Sequence, residues 1–398
     1  KMKLTRSLVA IAVLGAATLL TGSALAAGEI TIGGSISHTG RYAEPAGRFV
    51  NAYRLFAERQ NARGGLLGRK VKLVLLDDKS DKQTSIKLYE RLITQEKIDF
   101  TLGPYSSGIT DAVANLFERH EYPTLAPGAS SRGLWEKGRK YLFNQNAVAQ
   151  KNHKGALHIA RDIGVKRIAI IGEDSLFPRQ SAEGAVEWAK ELGLQVVLHE
   201  NYPRKQPDFT ALLQKLKARR AEALFSNSYF ADAAAQIRQL RELNINLEIF
   251  AGTIGPGLPE FARQLGATAE YVLGFSQWEP QPGALKFPGM GELIASYEKR
   301  YGVKPSDHVA MAYGAIEVVS QAILKAGSHD REKVWKTLRA SAFQTVMGRW
   351  KVDENNLNDR DGLTFQILDG RRRIVWPKEL AEVPYKLPMP GWKERDKR

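Results

Sequence analysis

The feature that most constrains this chain is a unit repeated along most of its length: a short apolar strand, a loop with Gly or Ser, and an amphipathic helix. The first unit joins the strand Glu29–Gly33 to a helix after Pro45, with one face formed by Phe49, Tyr53 and Phe56. Strands separated by helices pair in parallel through crossover connections. The pattern therefore predicts an α/β protein with parallel sheets.

Further units form two successive halves of similar length. The first half continues with predicted strands and helices at Val71–Leu76, after Asp81, at Asp99–Leu102, after Ser107 and at Pro123–Ala126. The second half contains a predicted helix over residues 147–163 and then the strand Arg167–Gly172. Because this strand is apolar along its whole length, it requires cover on both faces. Two doubly wound α/β lobes are therefore predicted.

The pattern changes beyond Phe275, where the Pro- and Gly-containing stretch Glu279–Gly283 leads into mostly helical sequence. One predicted helix carries a long apolar stripe formed by Val309, Ala312, Ile316, Val319 and Ile323. A third core is hard to assemble from this remainder. We therefore expect these elements to pack on the two lobes, so that the chain crosses between them more than once.

The first 26 residues resemble a secretory signal. Lys1, Lys3 and Arg6 precede an apolar run, Leu8–Leu20, which is shorter than the roughly 20 residues that span a bilayer. The small residues around Ala24–Ala26 fit a signal-peptidase site, so residues 1–26 are predicted to be removed; the alternative is a buried core helix. No cysteine follows for lipid attachment, and we expect an exported, periplasmic product with no stable membrane insertion.

Composition excludes several classes of protein. The chain has no cysteine, which rules out disulfides and Cys-ligated metal sites. Its formal net charge of +15 raises the question of nucleic-acid binding. The basic residues are scattered, however, and no basic stripe with interleaved aromatic residues is present. We therefore expect no nucleic-acid partner.

Two loops at predicted strand ends are rich in hydroxyl groups. Gly103–Gly108 follows one strand and opens a helix, and Ala126–Ser131 follows the next strand. Ligands of open α/β sheets bind at these strand ends, and the free N–H groups of a helix's first turn attract anions. The alternative is that Ser106 and Ser107 serve only as helix N-caps. A wall rich in donors and without a base suits a carboxylate better than a reaction.

Enzyme and metal motifs are poorly matched. The glycine of a nucleophile elbow is replaced by Pro104, or by Tyr105 for the second serine. The pair His153 and His158 lacks the spacing for zinc ligation on a helix. Three carboxylates could hold a cation, although a solvated strand end with an N-cap is the favoured interpretation: Asp77, Asp78 and Asp81. No catalysis, metal or cofactor is predicted.

Several motifs together resemble the periplasmic substrate-binding proteins of branched-chain amino-acid ABC transporters, in order and spacing over essentially the whole mature chain. They are Ser37–Ala43, Asn61–Lys70, Gly103–Gly108, Ala126–Ser131, Met311–Ala315 and Lys325–Ser328. The resemblance implies two lobes of the type I, Venus-flytrap architecture, joined by three crossovers. The lobes are expected at residues 27–145 with 272–345, and at residues 146–271 with 346–398.

The resemblance also implies a binding site between the lobes. The ligand carboxylate is expected to be held by the loops that contain Tyr105, Ser106 and Ser107 and, in the second loop, Gly128, Ala129 and Ser130. Tyr42 is expected to pack over the ligand from the first loop. Phe177, Tyr229 and Phe230 occupy positions where aromatic side chains of the second lobe close the pocket. The alternative for each aromatic residue is an ordinary core position.

One departure from the family pattern affects the ligand. Amino-acid-binding members place an acidic residue, which pairs with the α-ammonium, where this chain has Ile254. A buried ammonium without a partner is costly. An aromatic or other hydrophobic acid is therefore favoured over a branched-chain amino acid.

The resemblance implies that the protein is the solute-binding component of an ABC importer. Its ligand-bound form would be recognised by the membrane permease, which works with ATPase subunits. Two other functions stay open at this point: a ligand sensor that signals to a receptor, and a secreted α/β hydrolase.

Overall fold

The strand–helix units fold into two sheets, one in each of two lobes. The computed structural model describes residues 28–280, 286–358 and 360–395. The predicted signal segment, residues 1–26, lies outside the described residues. The predicted fold class, two α/β lobes dominated by parallel pairing, is confirmed.

The first sheet has five parallel strands in the order β2-β1-β3-β4-β5. The strands are β1 (Ile30–Ile36), β2 (Val71–Asp77), β3 (Phe100–Leu102), β4 (Thr124–Ala126) and β5 (Leu142–Asn144). Its crossover helices are α1 (Ala43–Ala62), α2 (Lys82–Thr94) and α3 (Ser107–His120). The predicted units of the first half are confirmed within a few residues, whereas β5 was missed because three residues carry no readable periodicity.

The second sheet has seven strands in the order β14-β13-β10-β9-β8-β6-β7. Five are parallel: β6 (Arg167–Glu173), β7 (Gln195–Tyr202), β8 (Ala223–Asn227), β9 (Ile249–Gly252) and β10 (Leu273–Ser276). Two antiparallel strands complete the edge: β13 (Leu363–Leu368) and β14 (Arg371–Trp376). The helices of this lobe are α4 (Lys154–Asp162), α5 (Leu176–Glu191), α6 (Thr210–Ala218), α7 (Phe230–Glu242), α8 (Ile254–Gly257) and α9 (Pro259–Leu265).

The remaining elements pack on the lobes, as expected. They are α10 (Met290–Tyr301), α11 (Asp307–Ala326), α12 (Arg331–Ala340), the hairpin of β11 (Phe343–Thr345) with β12 (Gly348–Trp350), and the short α13 (Trp392–Arg395). The chain crosses between the sheets three times: after β5, after β10 and after β12. The predicted helix over residues 147–163 is replaced by a short 3-10 turn at Ala149–Lys151 followed by α4.

Two predicted lobe boundaries need correction. Leu273–Ser276 pairs with β9 and β13, so the second lobe extends beyond residue 272. The hairpin belongs with the first lobe, because Trp350 Nε1 donates to the carbonyl of Asn144 on β5 at 2.9 Å. The boundary at residue 346 therefore also lies too early. The second crossing is marked by the Pro- and Gly-containing stretch that begins at Glu279, a few residues after the predicted boundary, whereas the third crossing has no such marker.

The apolar stripe of α11 lies in the core of the first lobe. Val309, Ile316 and Ile323 are fully buried there, and α11 packs along α1. Among the described residues, α11 is also the one helix long and apolar enough to span a membrane by length and composition. Because most of it is buried inside the protein, we interpret it as a core helix.

The three carboxylates considered as a cation site are occupied by internal hydrogen bonds. Asp78 accepts from the hydroxyls of Ser35 and Ser37, at 2.8 and 2.6 Å. Asp81 caps α2 by accepting from the backbone N–H of Thr84 at 2.8 Å. Within the part of the chain that the structure describes, no cluster of three or more His, Asp or Glu side chains could hold a metal ion.

Glu279 introduces a pH-dependent contribution to stability at the second crossover. Its side chain is 1 % exposed and lies 3.2 Å from the guanidinium of Arg372. Burial raises its pKa from 4.5 to about 7, against the opposing effect of Arg372. The folded protein therefore keeps a proton that the unfolded chain releases, and the associated stabilisation is present below pH 4.5 and lost as the pH rises through 7.

We predict that Glu279→Gln removes this pH dependence. The difference in free energy of unfolding between wild type and variant should change by about 2–3 kcal/mol between pH 4.5 and pH 8. Urea denaturation at a series of pH values measures it, with Glu298→Gln on the exposed face of α10 as the control. A constant difference across that range would contradict the prediction.

Candidate ligand-binding site

A cleft separates the strand ends of the two sheets. It holds about 480 Å³ of space between the protein atoms, a volume that includes open solvent. Eight residues predicted from the sequence line it: Tyr105, Ser106, Ser107, Gly128, Ser130, Phe177, Tyr229 and Ile254. Residues far apart in the chain are brought together here because loops after parallel strands open at the same sheet edge.

The wall from the first lobe is formed by two loops in direct contact. The hydroxyl of Ser107, the first residue of α3, accepts hydrogen bonds from the backbone N–H groups of Ser130 and Ser131, both at 3.2 Å. The Ser106 N–H donates to the carbonyl of Gly128 at 3.2 Å. A Cβ at position 128 would lie 2.6 Å from the carbonyl oxygen of Pro104, so this approach requires glycine. The two loops thus form one continuous surface.

This surface offers hydrogen-bond donors. Because Ser107 Oγ already accepts two hydrogen bonds, what it can add is its own proton. The first N–H groups of α3 have no acceptor within the helix, and the helix dipole favours negative charge at this end. Ser107 and Ser130 therefore present donors suited to an anionic oxygen.

Ser106 carries backbone strain at the centre of this wall. Its φ is +91° and its ψ is 147°, a region that glycine adopts and L-residues avoid. Its hydroxyl caps α3 weakly, accepting from the Ile109 N–H at 3.4 Å. Strain of this kind persists where the surroundings hold it in place, and it is common at binding sites.

We predict that Ser106→Gly makes the protein more stable by about 1 kcal/mol, since glycine relieves the strain and is itself an acceptable N-cap. Ser106→Ala should destabilise it by about 0.5–1 kcal/mol, because alanine keeps the strain and removes the cap. Urea denaturation of the two variants beside wild type measures both effects. Equal loss of stability in both variants would show that the hydroxyl, and not the backbone, matters at this position.

Aromatic rings cover the other side of the cleft. The ring of Tyr42 lies 5.6 Å from that of Tyr105 and 5.0 Å from that of Tyr229, measured between centroids. Phe177 adds a further ring, 6.0 Å from Tyr229. Tyr42 is not part of the cleft lining, and its ring packs against the lining residues Tyr105 and Tyr229. Burial raises the pKa of Tyr105 and Tyr229, so their phenols are neutral at ordinary pH.

Ion pairs join the two lobes over the cleft. Arg41, next to Tyr42, pairs with the fully buried Glu173 at the end of β6, and its guanidinium lies about 5 Å from the rings of Tyr42 and Tyr229. Arg48 on α1 pairs with Glu260 on α9 at 2.5 Å. These contacts exist only when the lobes are together, and we infer that the structure represents the closed form.

Three predicted residues lie outside the cleft lining: Tyr42, described above, and two whose side chains turn into the cores of the lobes. Phe230 packs edge-on against Phe261, 6.2 Å between centroids, in the core of the second lobe. Ala129 is buried among the side chains of α3 and its neighbours in the first lobe. Both follow cleft residues directly in the chain, and at a loop-to-helix turn the next side chain points back into the core.

Seven lining residues were not predicted: Pro127, Asn146, Asn152, Phe275, Gln277, His308 and Met311. Most come from the crossover segments or from the start of α11, which have no strand-end signal. His308 Nδ1 lies 2.8 Å from the Asp307 carboxylate, and its Nε2 lies 3.1 Å from the Tyr105 hydroxyl. The sequence signal that was available is the pair Asp307–His308 at the start of a strongly apolar helix.

The carboxylate nearest to His308, that of Asp307, lies outside the cleft lining. Asp307 is buried behind His308; although burial acts against its charge, His308 and Arg372 hold its pKa below the ordinary value. Among the described residues that line the cleft, none is Asp, Glu, Lys or Arg. Apolar and aromatic side chains thus line the cleft on the second-lobe side, and hydrogen-bond donors line it on the first-lobe side.

Comparison with known proteins agrees with this architecture. The family model for periplasmic binding proteins matches residues 29–371. "Leu/Ile/Val-binding protein homolog 7" of Brucella suis is 28 % identical over 394 residues, covering 94 % of this chain and 98 % of that protein.

Two solved structures share the fold. A leucine-binding protein from Thermotoga maritima has a TM-score of 0.79 and 23 % identity, covering 87 % of this chain and 97 % of the other. A solute-binding protein of an ABC transporter from R. palustris, in complex with benzoate, has a TM-score of 0.77 and 16 % identity, covering 91 % and 97 %. With the family model matched over most of its length, the chain belongs to the periplasmic binding protein family.

Proposed function

We propose that this protein is the solute-binding component of an ABC importer and that it captures a small aromatic or other hydrophobic carboxylate between its lobes. The observation that carries the proposal is the combination of a donor-rich wall with an aromatic wall in a cleft whose described lining residues include no Asp, Glu, Lys or Arg. The acid group would meet the loops at Ser107 and Ser130. The apolar body would lie against Phe177 and Tyr229.

The lining argues against a free amino acid. An α-ammonium buried in the cleft would need an anionic partner, since its desolvation is otherwise uncompensated. Ile254 lies in the lining where amino-acid-binding relatives place an acid, and the nearest buried carboxylates, such as Asp307 and Glu173, are already paired with His308 and Arg41. A ligand with a carboxylate and no ammonium fits this distribution of charge.

Another protein with this fold binds such a ligand: the R. palustris solute-binding protein was solved in complex with benzoate. Other relatives carry Leu/Ile/Val-binding names, so members of one family differ in the ligand they hold. The residues that differ inside the cleft, and not the fold, decide the ligand.

Transport follows from closure. A ligand that contacts both walls stabilises the closed form over the open one, and the Arg41–Glu173 pair across the cleft adds to the closed form. The closed protein would be the form recognised by the permease and ATPase subunits in the inner membrane. This role places the mature protein in the periplasm.

Isothermal titration calorimetry tests the proposal. We expect benzoate-type or other hydrophobic acids to bind, and benzamide, which keeps the ring and lacks the charge, to bind at least tenfold more weakly. Leucine should give no signal. A ligand at a hundredfold over its Kd should also stabilise the fold by about 2.7 kcal/mol in thermal unfolding. Tight binding of leucine with no response to any acid that lacks the ammonium would refute the proposal.

A further inference from the structure

Two buried amide side chains at the cleft have oxygen atoms that lack a partner. Asn146 and Asn152 lie on the first crossover, are 2 % and 3 % exposed, and line the same cleft as Ser107 and Ser130. Neither Asn146 Oδ1 nor Asn152 Oδ1 accepts a hydrogen bond from any described residue. Buried polar atoms are otherwise almost always paired, so these two require an explanation.

The orientation of Asn146 is determined by its neighbour. Its Nδ2 donates to the carbonyl oxygen of Pro127 at 2.6 Å. Because a carbonyl can only accept, the amide cannot be turned to exchange its oxygen and nitrogen. The unpaired atom is therefore an acceptor, fixed in place beside the donor loop that contains Ser130.

Asn152 adds a second unpaired amide atom, and because its partner is the Ser181 hydroxyl, which can donate or accept, Asn146 remains the residue whose orientation its neighbour fixes. Asn152 Nδ2 donates to the hydroxyl of Ser181 on α5 at 3.4 Å, which leaves Oδ1 without a partner among the described residues. The other amide of this wall, Gln277, differs: its oxygen accepts from the Ala147 N–H and its nitrogen donates to the Ala147 carbonyl. Gln145 Oε1 and Gln150 Oε1 of the same segment also lack a partner but lie outside the cleft lining, so Asn146 and Asn152 supply the unmet amide acceptors among the described lining residues.

The two amide oxygens restrict which ligand group could form a hydrogen bond with them. A carboxylate has no proton to give and would be repelled by an amide oxygen. An ammonium would seek a carboxylate, which the lining lacks among its described residues. A hydroxyl donates one hydrogen bond without bringing charge, and it matches a neutral amide oxygen.

We propose that the ligand carries a hydroxyl group in addition to its carboxylate, and that this hydroxyl donates to Asn146 Oδ1 or Asn152 Oδ1. The ligand class is then a hydroxylated aromatic or hydrophobic acid. This inference rests on the proposed function, since the carboxylate must be held by the Ser107 and Ser130 loops. A site with a buried unpaired acceptor discriminates against the analogue that lacks the donor.

Calorimetry with matched ligands tests it. Wild-type protein is titrated with benzoate, with 2-, 3- and 4-hydroxybenzoate, and with the three fluorobenzoates, which place an atom of similar size without a proton at the same positions. We expect at least one hydroxybenzoate to bind about tenfold or more tightly than benzoate. The fluorobenzoate of the same position should bind no better than benzoate.

Variants then assign the acceptor. In Asn146→Ala or in Asn152→Ala, the ratio of the benzoate Kd to the hydroxybenzoate Kd should fall towards one, while Asn246→Ala, remote from the cleft, keeps the wild-type ratio. A wild-type ratio near one for all three isomers, or a ratio retained in both cleft variants, overturns this inference and leaves the proposed function standing if benzoate binds. If no acid binds at all, the proposed function fails and the inference fails with it.

Discussion

Replacing Ser107 by alanine is expected to weaken the binding of an aromatic acid by about 10- to 100-fold. The variant loses a hydrogen bond to a charged group, which contributes about 1.5–3 kcal/mol. It also leaves the N–H groups of Ser130 and Ser131 without their acceptor, so the second loop loses two of the hydrogen bonds that hold it against the first. Calorimetry with the tightest-binding acid found for the wild-type protein measures the change.

The matched control for this prediction is Ser296→Ala. Its hydroxyl, on α10 and away from the cleft, donates to the carbonyl of Glu292 at 2.6 Å. This variant should bind the acid as wild type does. Thermal unfolding of both variants confirms that binding is measured on folded protein. An unchanged Kd for Ser107→Ala would contradict the assigned role of the donor wall.

Introducing a carboxylate at Ile254 is expected to weaken the binding of acids at least as much as Ser107→Ala does. It should do so by adding a negative charge to the cleft, whereas Ser107→Ala removes a hydrogen-bond donor. Ile254→Glu places a negative charge in a cleft whose described lining residues include no Asp or Glu. The added carboxylate loses solvation when the lobes close on the apolar body of the ligand, and two like charges about 8 Å apart at an effective dielectric constant of about 20 repel by about 2 kcal/mol. We therefore expect binding of simple acids to weaken by about 100-fold or more and binding of leucine to become detectable.

Ile254→Gln is the control, because it has the same shape as glutamate and lacks the charge. It should weaken acid binding by less than about tenfold and should give no gain for leucine. Competitive titration of benzoate and leucine on both variants separates shape from charge. Equal losses in the two variants would show that the position limits size, and that the missing acid does not decide the ligand class.

The binding wall of the first lobe could be predicted because its information is local. Ser107 and Gly128 follow short apolar strands, and loops after neighbouring parallel strands must open at one sheet edge. The structure adds that the hydroxyl of Ser107 joins the two loops. It also shows why position 128 is glycine: any Cβ there would meet the backbone of Pro104.

The remaining parts of the site depend on contacts between distant segments. Asn146 and His308 reach the cleft from a crossover and from the start of α11, and their neighbours in sequence carry no strand-end pattern. The antiparallel strands β13 and β14 were missed because the sequence beyond Phe275 was interpreted as mostly helical. Phe230 was assigned to the pocket from the family resemblance, yet helix geometry turns its ring into the core of the second lobe.

The most direct measurement is a crystal structure of the protein with its tightest-binding acid. The account predicts that the ligand carboxylate lies within about 2.7–3.2 Å of Ser107 Oγ and of a donor on Ser130, with the apolar body between Phe177 and Tyr229. A ligand bound in the reverse direction, with its carboxylate among the aromatic rings or beside Ile254, would contradict it.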